Sequence, residues 1–271
     1  MPKKAPEVYL VAASEMDFGI LGDYLDHVDE GLKDRFTFSE VHGDPGSLCI
    51  IEAAGRLCYK SWEPGLNPNV EKVREGNDAY LKNIIKSGHG AVLEHASATF
   101  IFNNVSRVFT HELVRHRAGV AISQESLRYV RLEDYGMVIP DLPDDLSQAQ
   151  KEQVEGISHL ISDFIKSRVR SMFEAMDFYD EDVNLDFAVK KVLTSWVRRH
   201  LPIGVATSMM WTANMRTLRH VIALRTSAHA ETEIRAVFQV VAEMCKEKWP
   251  SIFFDMEKQD DGSFVFEHNK I

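Results

Sequence analysis

Residues 111–131 read HELVRHRAGVAISQESLRYVR and place Arg115, Arg117, Arg128 and Arg131 beside His111 and His116 without a single lysine. A second lysine-free window, 198–225, holds Arg198, Arg199, Arg216, Arg219 and Arg225. Counting Arg107, the two windows carry ten of the chain's 16 arginines and none of its 15 lysines. A solvated surface mixes both cations. A planar fork that stays charged is favoured where phosphate or carboxylate is gripped through two bonds, or where a cation lies on a flat ring. The windows therefore point to a flat anionic ligand. A second reading pairs the arginines structurally with carboxylates, and Glu112 and Glu125 are at hand for it.

Within the first window, AGVAISQES supplies small residues that let a ligand approach backbone N–H groups. Ser126 and Arg128 lie two apart and share a face if that segment is extended. A hydroxyl, a guanidinium and loop amides then hold one phosphate.

Other chemistries fail on spacing. In HELVRH the histidines are five apart, about 140° out of alignment on a helix, so both cannot reach one metal. His89 and His95 in HGAVLEH have no metal spacing, and no metal site is expected. GHG at 88–90 lacks the third glycine of a dinucleotide-binding turn and follows a helix rather than a strand. There is no phosphate-binding GxxxxGK[ST] and no GxSxG. Cys58 falls on an apolar helix face and reads as core, so no covalent nucleophile emerges.

Composition narrows the classes further. A net charge of −10 argues against a general nucleic-acid binder, while a local arginine cluster inside an acidic shell still attracts small anions. Cys49, Cys58 and Cys245 are an odd number with no CxxC, which suits a reducing compartment. No apolar run reaches membrane-spanning length and no secretory leader is evident, so a soluble cytoplasmic protein is expected.

The elements that must position these residues can be read along the chain. Residues 7–13 predict a buried strand, 47–62 and 77–88 helices, the second stopped by Gly88, and 96–102 a strand. Ser106 predicts the N-cap of a short helix ending near His116. Apolar residues from Val154 to Phe173 at three/four spacing predict a long amphipathic helix over 145–176. Residues 187–200 predict a helix closed by Pro202, 205–213 a strand, and 215–225 and 231–249 helices. A hairpin turning at Asp261-Gly262 ends the chain over 252–271. Residues 14–45 show no clear period. The fold class expected is α+β: a single mixed domain over 1–271, with a central antiparallel-rich sheet flanked by long helices.

RHRAGVAISQESLRYV resembles the signature of the flavin-dependent thymidylate synthases (ThyX), written RHR, seven residues, then Ser. Four further blocks resemble the same family in order: AAGRLCYKSW, GHGAVLEHASATFIF, SRVFTHELVRHR and WTANMRTLRHVIALRTSAHAETEIR. The likeness spans about residues 45–250. This chain departs from the pattern in three places. Eight residues separate Arg117 from Ser126, Ala91 stands where members often carry a hydroxyl, and Gln124 stands where some carry Glu.

The resemblance implies reductive methylation of dUMP to dTMP with 5,10-methylenetetrahydrofolate, NADPH and FAD, in a homotetramer whose sites lie at subunit interfaces. It implies Arg225 as the catalytic group at the uracil ring, with capping of a helix end as the alternative. The dUMP residues it implies are Glu112, Arg115, Gln124, Ser126, Leu127, Arg128, Arg198 and Arg225, with Arg199 a rival for Arg198. For FAD it implies His89, Ala91, Arg115, His116, Arg117, Gln124, Asn214, Arg216 and His220. Small molecules are the expected partners, with neither nucleic acid nor membrane among them.

Overall fold

A computed structural model describes residues 5–70, 72–129 and 135–269. In chain order it contains β1 (Glu7–Ala13), α1 (Phe18–Val28), α2 (Leu32–Arg35), α3 (Pro45–Tyr59), α4 (Asn77–Lys86), β2 (Ser97–Ser106), α5 (Arg107–Leu113) and β3 (Val120–Gln124). There follow α6 (Gln148–Glu174), α7 (Phe187–Val197), β4 (Ala206–Asn214), α8 (Met215–Arg225), α9 (Thr232–Lys248), β5 (Met256–Lys258) and β6 (Phe264–Phe266). Short 3-10 turns occupy Gly90–His95 and Arg198–His200. The architecture is α+β, with a four-stranded sheet in the order β1-β2-β4-β3 and the antiparallel pair β5-β6. No helix among the described residues is long and apolar enough to cross a membrane.

The chain divides into two compact units. One contains Phe102–Arg115, Ile122–Met210 and the start of the chain through Glu7; the other contains Val8–Ile101, His116–Ala121 and Trp211–Ile271.

In the first unit, α6 begins at a capping box: the Ser147 hydroxyl accepts from the Gln150 N–H, and the Gln150 side chain accepts from the Ser147 N–H at 2.9 Å. Its C-terminal part buries Val169 and Phe173 against Val197 of α7, and Leu127 packs on this cluster. The N-terminal part keeps the apolar spacing seen in the sequence but not the burial. Ile157, Leu160 and Phe164 are 50, 71 and 63% exposed. Ser106 caps α5 as expected, accepting from the Phe109 N–H at 3.1 Å. The helix stops at Leu113 rather than near His116, and Val114 closes it by donating to the Thr110 carbonyl at 3.0 Å.

In the second unit, Asp44 caps α3 ahead of Pro45, and Gly88 follows α4 with φ 72°, the left-handed conformation its position requires. Trp211 of β4 is fully buried, with its ring edge-on to Phe238 of α9 at 5.9 Å. The hairpin forms as predicted, with Gly262 at φ 81°.

Several expectations need correction. Residues 7–13 form a strand, but β1 lies at the end of the sheet order and leaves Tyr9 and Val11 half exposed, so it is not buried. Residues 14–45 contain α1 and α2. Leu21, Leu25 and Val28 of α1 pack at three/four spacing against Leu32 and Trp62, a stripe too short to stand out in the sequence. Residues 120–124, read as loop, form the edge strand β3, whose small and polar residues give no strand alternation. Cys58 lies on α3 as predicted, but on its exposed face, whereas Cys49 of the same helix is buried. Arg131 lies outside the described residues.

Candidate active site

In the first unit a cavity of about 550 Å³ opens among α5, the end of β3 and the turn after α7, lined by Arg107, Gln124, Glu125, Ser126, Arg198 and Arg199. Gln124 is held by donating its Nε2 to the Thr110 hydroxyl at 3.1 Å. Ser126 opens a turn rather than an extended run. Its hydroxyl accepts from the Arg128 N–H at 3.3 Å and its carbonyl from the Tyr129 N–H at 3.0 Å. The expected shared face of Ser126 and Arg128 is therefore not formed. Leu127, half-buried, packs against the α6–α7 cluster. Arg128 does not line the cavity, and its Nε is buried without a hydrogen-bond partner among the described residues. Glu112 on α5 and Arg115 beyond it also lie off the lining.

Arg198 and Arg199 both reach the cavity, in different states. Arg199 is exposed and donates Nη1 to the Ser195 carbonyl at 2.9 Å, a bond within its own turn. Arg198 is half-buried in the 3-10 turn, and the Leu201 N–H closes on its carbonyl at 3.2 Å just before Pro202.

Arg107 was legible as one of the clustered arginines, but spacing alone assigned it no role. It is the first residue of α5, half-buried, and donates Nη2 to the Glu125 carbonyl at 2.7 Å. Burial above all, opposed by Glu125 and assisted by the nearby Arg198 cation, draws its guanidinium below the ordinary value. It nevertheless remains a cation.

In the second unit the expected residues gather on α8. Asn214 caps the helix, its Oδ1 accepting from the Thr217 N–H at 2.8 Å. The same helix start clamps the preceding loop: the Thr217 hydroxyl donates to the Ala118 carbonyl at 2.9 Å, and the Asn214 N–H to the Gly119 carbonyl at 3.0 Å. Gly119 sits at φ 68°, and a Cβ there would collide with the Asn214 and Thr217 side chains. Arg117 projects exposed from this clamped loop.

Arg225, the last residue of α8, donates Nε to His116 Nε2 at 2.7 Å. In that bond His116 Nε2 is the acceptor. The His116 ring stands edge-on to His220 at 6.2 Å. At the helix end, the Ile222 carbonyl accepts from both the N–H and the hydroxyl of Thr226, at 3.0 and 2.8 Å.

The Gly90–His95 turn packs on α8 and carries the exposed Ala91. His89, exposed just before it, stacks on Tyr59 with ring centroids 5.8 Å apart. Arg216 pairs with Glu94 at 2.6 Å on the surface, where an ion pair contributes about 0–1 kcal/mol and yields to a better anion. Burial pushes the Cys49 thiol up to about 12 and raises Cys245 as well, so neither is a thiolate near neutral pH.

Residues 41–251 match the model of the family described as thymidylate synthase complementing protein, Thy1. The flavin-dependent thymidylate synthase of Mycobacteroides abscessus is 34% identical over 222 residues, covering 81% of this chain and 84% of that relative. The enzyme of the same name from Corynebacterium diphtheriae is 34% identical over 221 residues, covering 81% and 83%. That from Mycobacterium tuberculosis is 33% identical over 212 residues, covering 78% and 80%. The matched span runs from before His89 to beyond Arg225 and so includes the cavity arginines and the α8 cluster. The chain belongs to the thymidylate synthase complementing protein family, the flavin-dependent thymidylate synthases, and is an enzyme of the methyl-transferring type.

Proposed function

We propose that the chain converts dUMP to dTMP by reductive methylation. 5,10-Methylenetetrahydrofolate supplies the carbon and NADPH the two electrons, leaving tetrahydrofolate and NADP⁺, with no covalent bond between protein and nucleotide. The observation that carries this reading is the cavity on which Arg198, Ser126 and Gln124 converge, a charged fork beside neutral hydrogen-bonding groups. Such a set suits a phosphate attached to a polar, uncharged body.

Glu112, Arg115, Gln124, Ser126, Leu127, Arg128 and Arg198 are assigned to dUMP, and the Ser126 hydroxyl positions substrate rather than attacking it. Arg225, oriented by His116, stabilises the negative charge that develops at N3 and O4 of the uracil as its C5 carbon is alkylated. Assignment of FAD to His89, Ala91, Arg115, His116, Arg117, Gln124, Asn214, Arg216 and His220 fits the chemistry these residues offer. Arg117 is an exposed fork on a clamped loop, the Glu94 partner of Arg216 is displaceable, and His89 and His220 present exposed flat rings. FAD, when bound, supplies the hydride relay from NADPH.

The reading takes residues 1–271 as one functional domain in the cytoplasm, assembled as a homotetramer that completes each site between subunits. The exposed apolar stripe of Ile157, Leu160 and Phe164 supports assembly, because a surface helix face of this size marks a contact.

The flavin assignment is tested on purified protein. Wild type should show a flavin absorption spectrum and release FAD on denaturation. His89→Ala and Arg117→Ala should lose most of the bound FAD while melting within a few degrees of wild type. A colourless wild type with no affinity for added FAD contradicts the reading.

A further inference from the structure

Thr226 directly follows Arg225 at the end of α8, and its side chain does more than a helix end requires. Its N–H already answers the Ile222 carbonyl at 3.0 Å, a bond that any residue but proline could make. The hydroxyl adds a donation to the same carbonyl at 2.8 Å and accepts the Phe264 N–H of β6 at 2.9 Å. Thr226 is fully buried and Phe264 nearly so, so the hydroxyl uses both its donor and its acceptor capacity away from water. The hairpin that supplies Phe264 is itself anchored to α9. Gln239 donates Nε2 to the Gly262 carbonyl at 2.8 Å, Lys246 donates Nζ to the Met256 carbonyl at 3.0 Å, and Arg235 donates to the Asp261 carbonyl. Helix ends fray, and the last turn is where a helix yields first. Here one buried hydroxyl fastens that turn to an anchored body. Arg225 is thus set from two directions, its guanidinium by His116 at 2.7 Å and its backbone by β6 through the next residue.

We infer that Thr226 is a positioning residue for the methylation step: its hydroxyl ties the last turn of α8 to the C-terminal hairpin and so holds Arg225 in register with the uracil. This role rests on the reading of Arg225 as the group that stabilises charge at N3 and O4. The hairpin β5-β6 lies beyond the residues 41–251 that match the family. A cation stabilises a developing oxyanion best when it is in place before the charge forms. Misplacement by about 1 Å can cost on the order of 10²-fold in rate. Fastening the backbone beside Arg225 restricts such drift without touching substrate. Turnover should therefore depend on the Thr226 hydroxyl, while binding of nucleotide and flavin should not.

The test is a double-mutant cycle. Steady-state dTMP formation, flavin content and melting temperature are measured on wild type, Thr226→Val, Thr226→Ser, Arg225→Lys and the double variant of Thr226→Val with Arg225→Lys. Thr226→Val keeps the shape and removes the hydroxyl, so kcat should fall about tenfold or more, with KM for dUMP within about twofold and FAD retained. Thr226→Ser restores both hydrogen bonds and should recover most of the rate. In the Arg225→Lys background the valine should cost less than about twofold, because changes that act through one group do not add. A wild-type kcat in Thr226→Val overturns the inference. So does a fall that Arg225→Lys leaves undiminished or that serine does not recover, either of which would mark a general effect on the fold. If Thr226→Val does not fold, Thr226→Ala, which keeps the backbone bond to Ile222, carries the same comparison, and wild-type turnover there overturns the inference. Should Arg225→Lys itself turn over like wild type, the catalytic reading of Arg225 fails and the inference with it. Normal turnover in Thr226→Val beside a slow Arg225→Lys overturns the inference alone.

Discussion

Arg225→Lys should purify with a normal flavin content and turn over about 10²–10³-fold more slowly, the range seen when a preorganised donor to a developing oxyanion is removed. The geometry explains why lysine does not substitute. The arginine commits Nε to His116 at 2.7 Å, and that bond fixes the plane of the fork. An ammonium is a point charge on a flexible stem, so it cannot make the same bond and hold a second, planar contact in a defined direction. The fall should appear in kcat and kcat/KM together, because charge at N3 and O4 grows only toward the transition state. His116→Phe, which removes the acceptor and keeps a flat ring, should reproduce part of the loss. A helix-capping role for Arg225 predicts the opposite pattern, with lower melting temperature and ordinary turnover.

Arg219, six residues earlier on the same helix, should behave in the reverse way. Its side chain is 3% exposed and bonds both carboxylate oxygens of Asp255, at 2.7 and 2.9 Å. It also donates to the Ile252 and His268 carbonyls and lies over the Phe266 ring at 4.3 Å. Arg219→Met leaves Asp255 buried without its cation and should cost about 3–5 kcal/mol of stability. Denaturant titration measures it. Burial alone would raise the Asp255 carboxyl, but Arg219 and the His268 N–H outweigh burial and hold it below the ordinary carboxylate value. A depressed carboxylate stabilises the fold above its unfolded pKa and loses that contribution as pH falls through the folded one. In Arg219→Met only backbone N–H donors such as that of His268 still oppose burial, so protonation relieves the variant. The stability gap should therefore be widest near neutrality and narrow as the solution is acidified. A gap that stays constant with pH would mean that the charge of Asp255 is not what Arg219 holds.

These two arginines show what the sequence could and could not convey. Both belong to the lysine-free windows, and residue type alone marked them as forks gripping something planar. Type does not reveal the partner. Arg219 grips a carboxylate of its own unit and fits the structural-pair reading, while Arg225 is aimed by a histidine from the RHR segment. Helices with strong caps were legible to within a few residues, as at Ser106, Ser147 and Asn214, because a side chain there answers a specific N–H. Elements whose apolar side chains do not fall on a buried face were not. β3 is a sheet edge whose residues are half-buried or exposed. The cavity was half legible: Ser126 and Arg198 were singled out through the resemblance, whereas the contact of Arg107 with Glu125 lies 18 residues apart and has no signal in spacing.

The most direct measurement is a single turnover. The flavin is reduced with NADPH in the absence of oxygen, dUMP and methylenetetrahydrofolate are added, and dTMP is quantified after acid quench as the flavin is reoxidised. Stoichiometric dTMP per reduced flavin is expected, in wild type and equally in Cys58→Ser, which removes the one exposed thiol of the three cysteines. Reoxidation without dTMP, or loss of dTMP in the Cys58→Ser protein, would contradict methylation through an arginine-bound, non-covalent nucleotide.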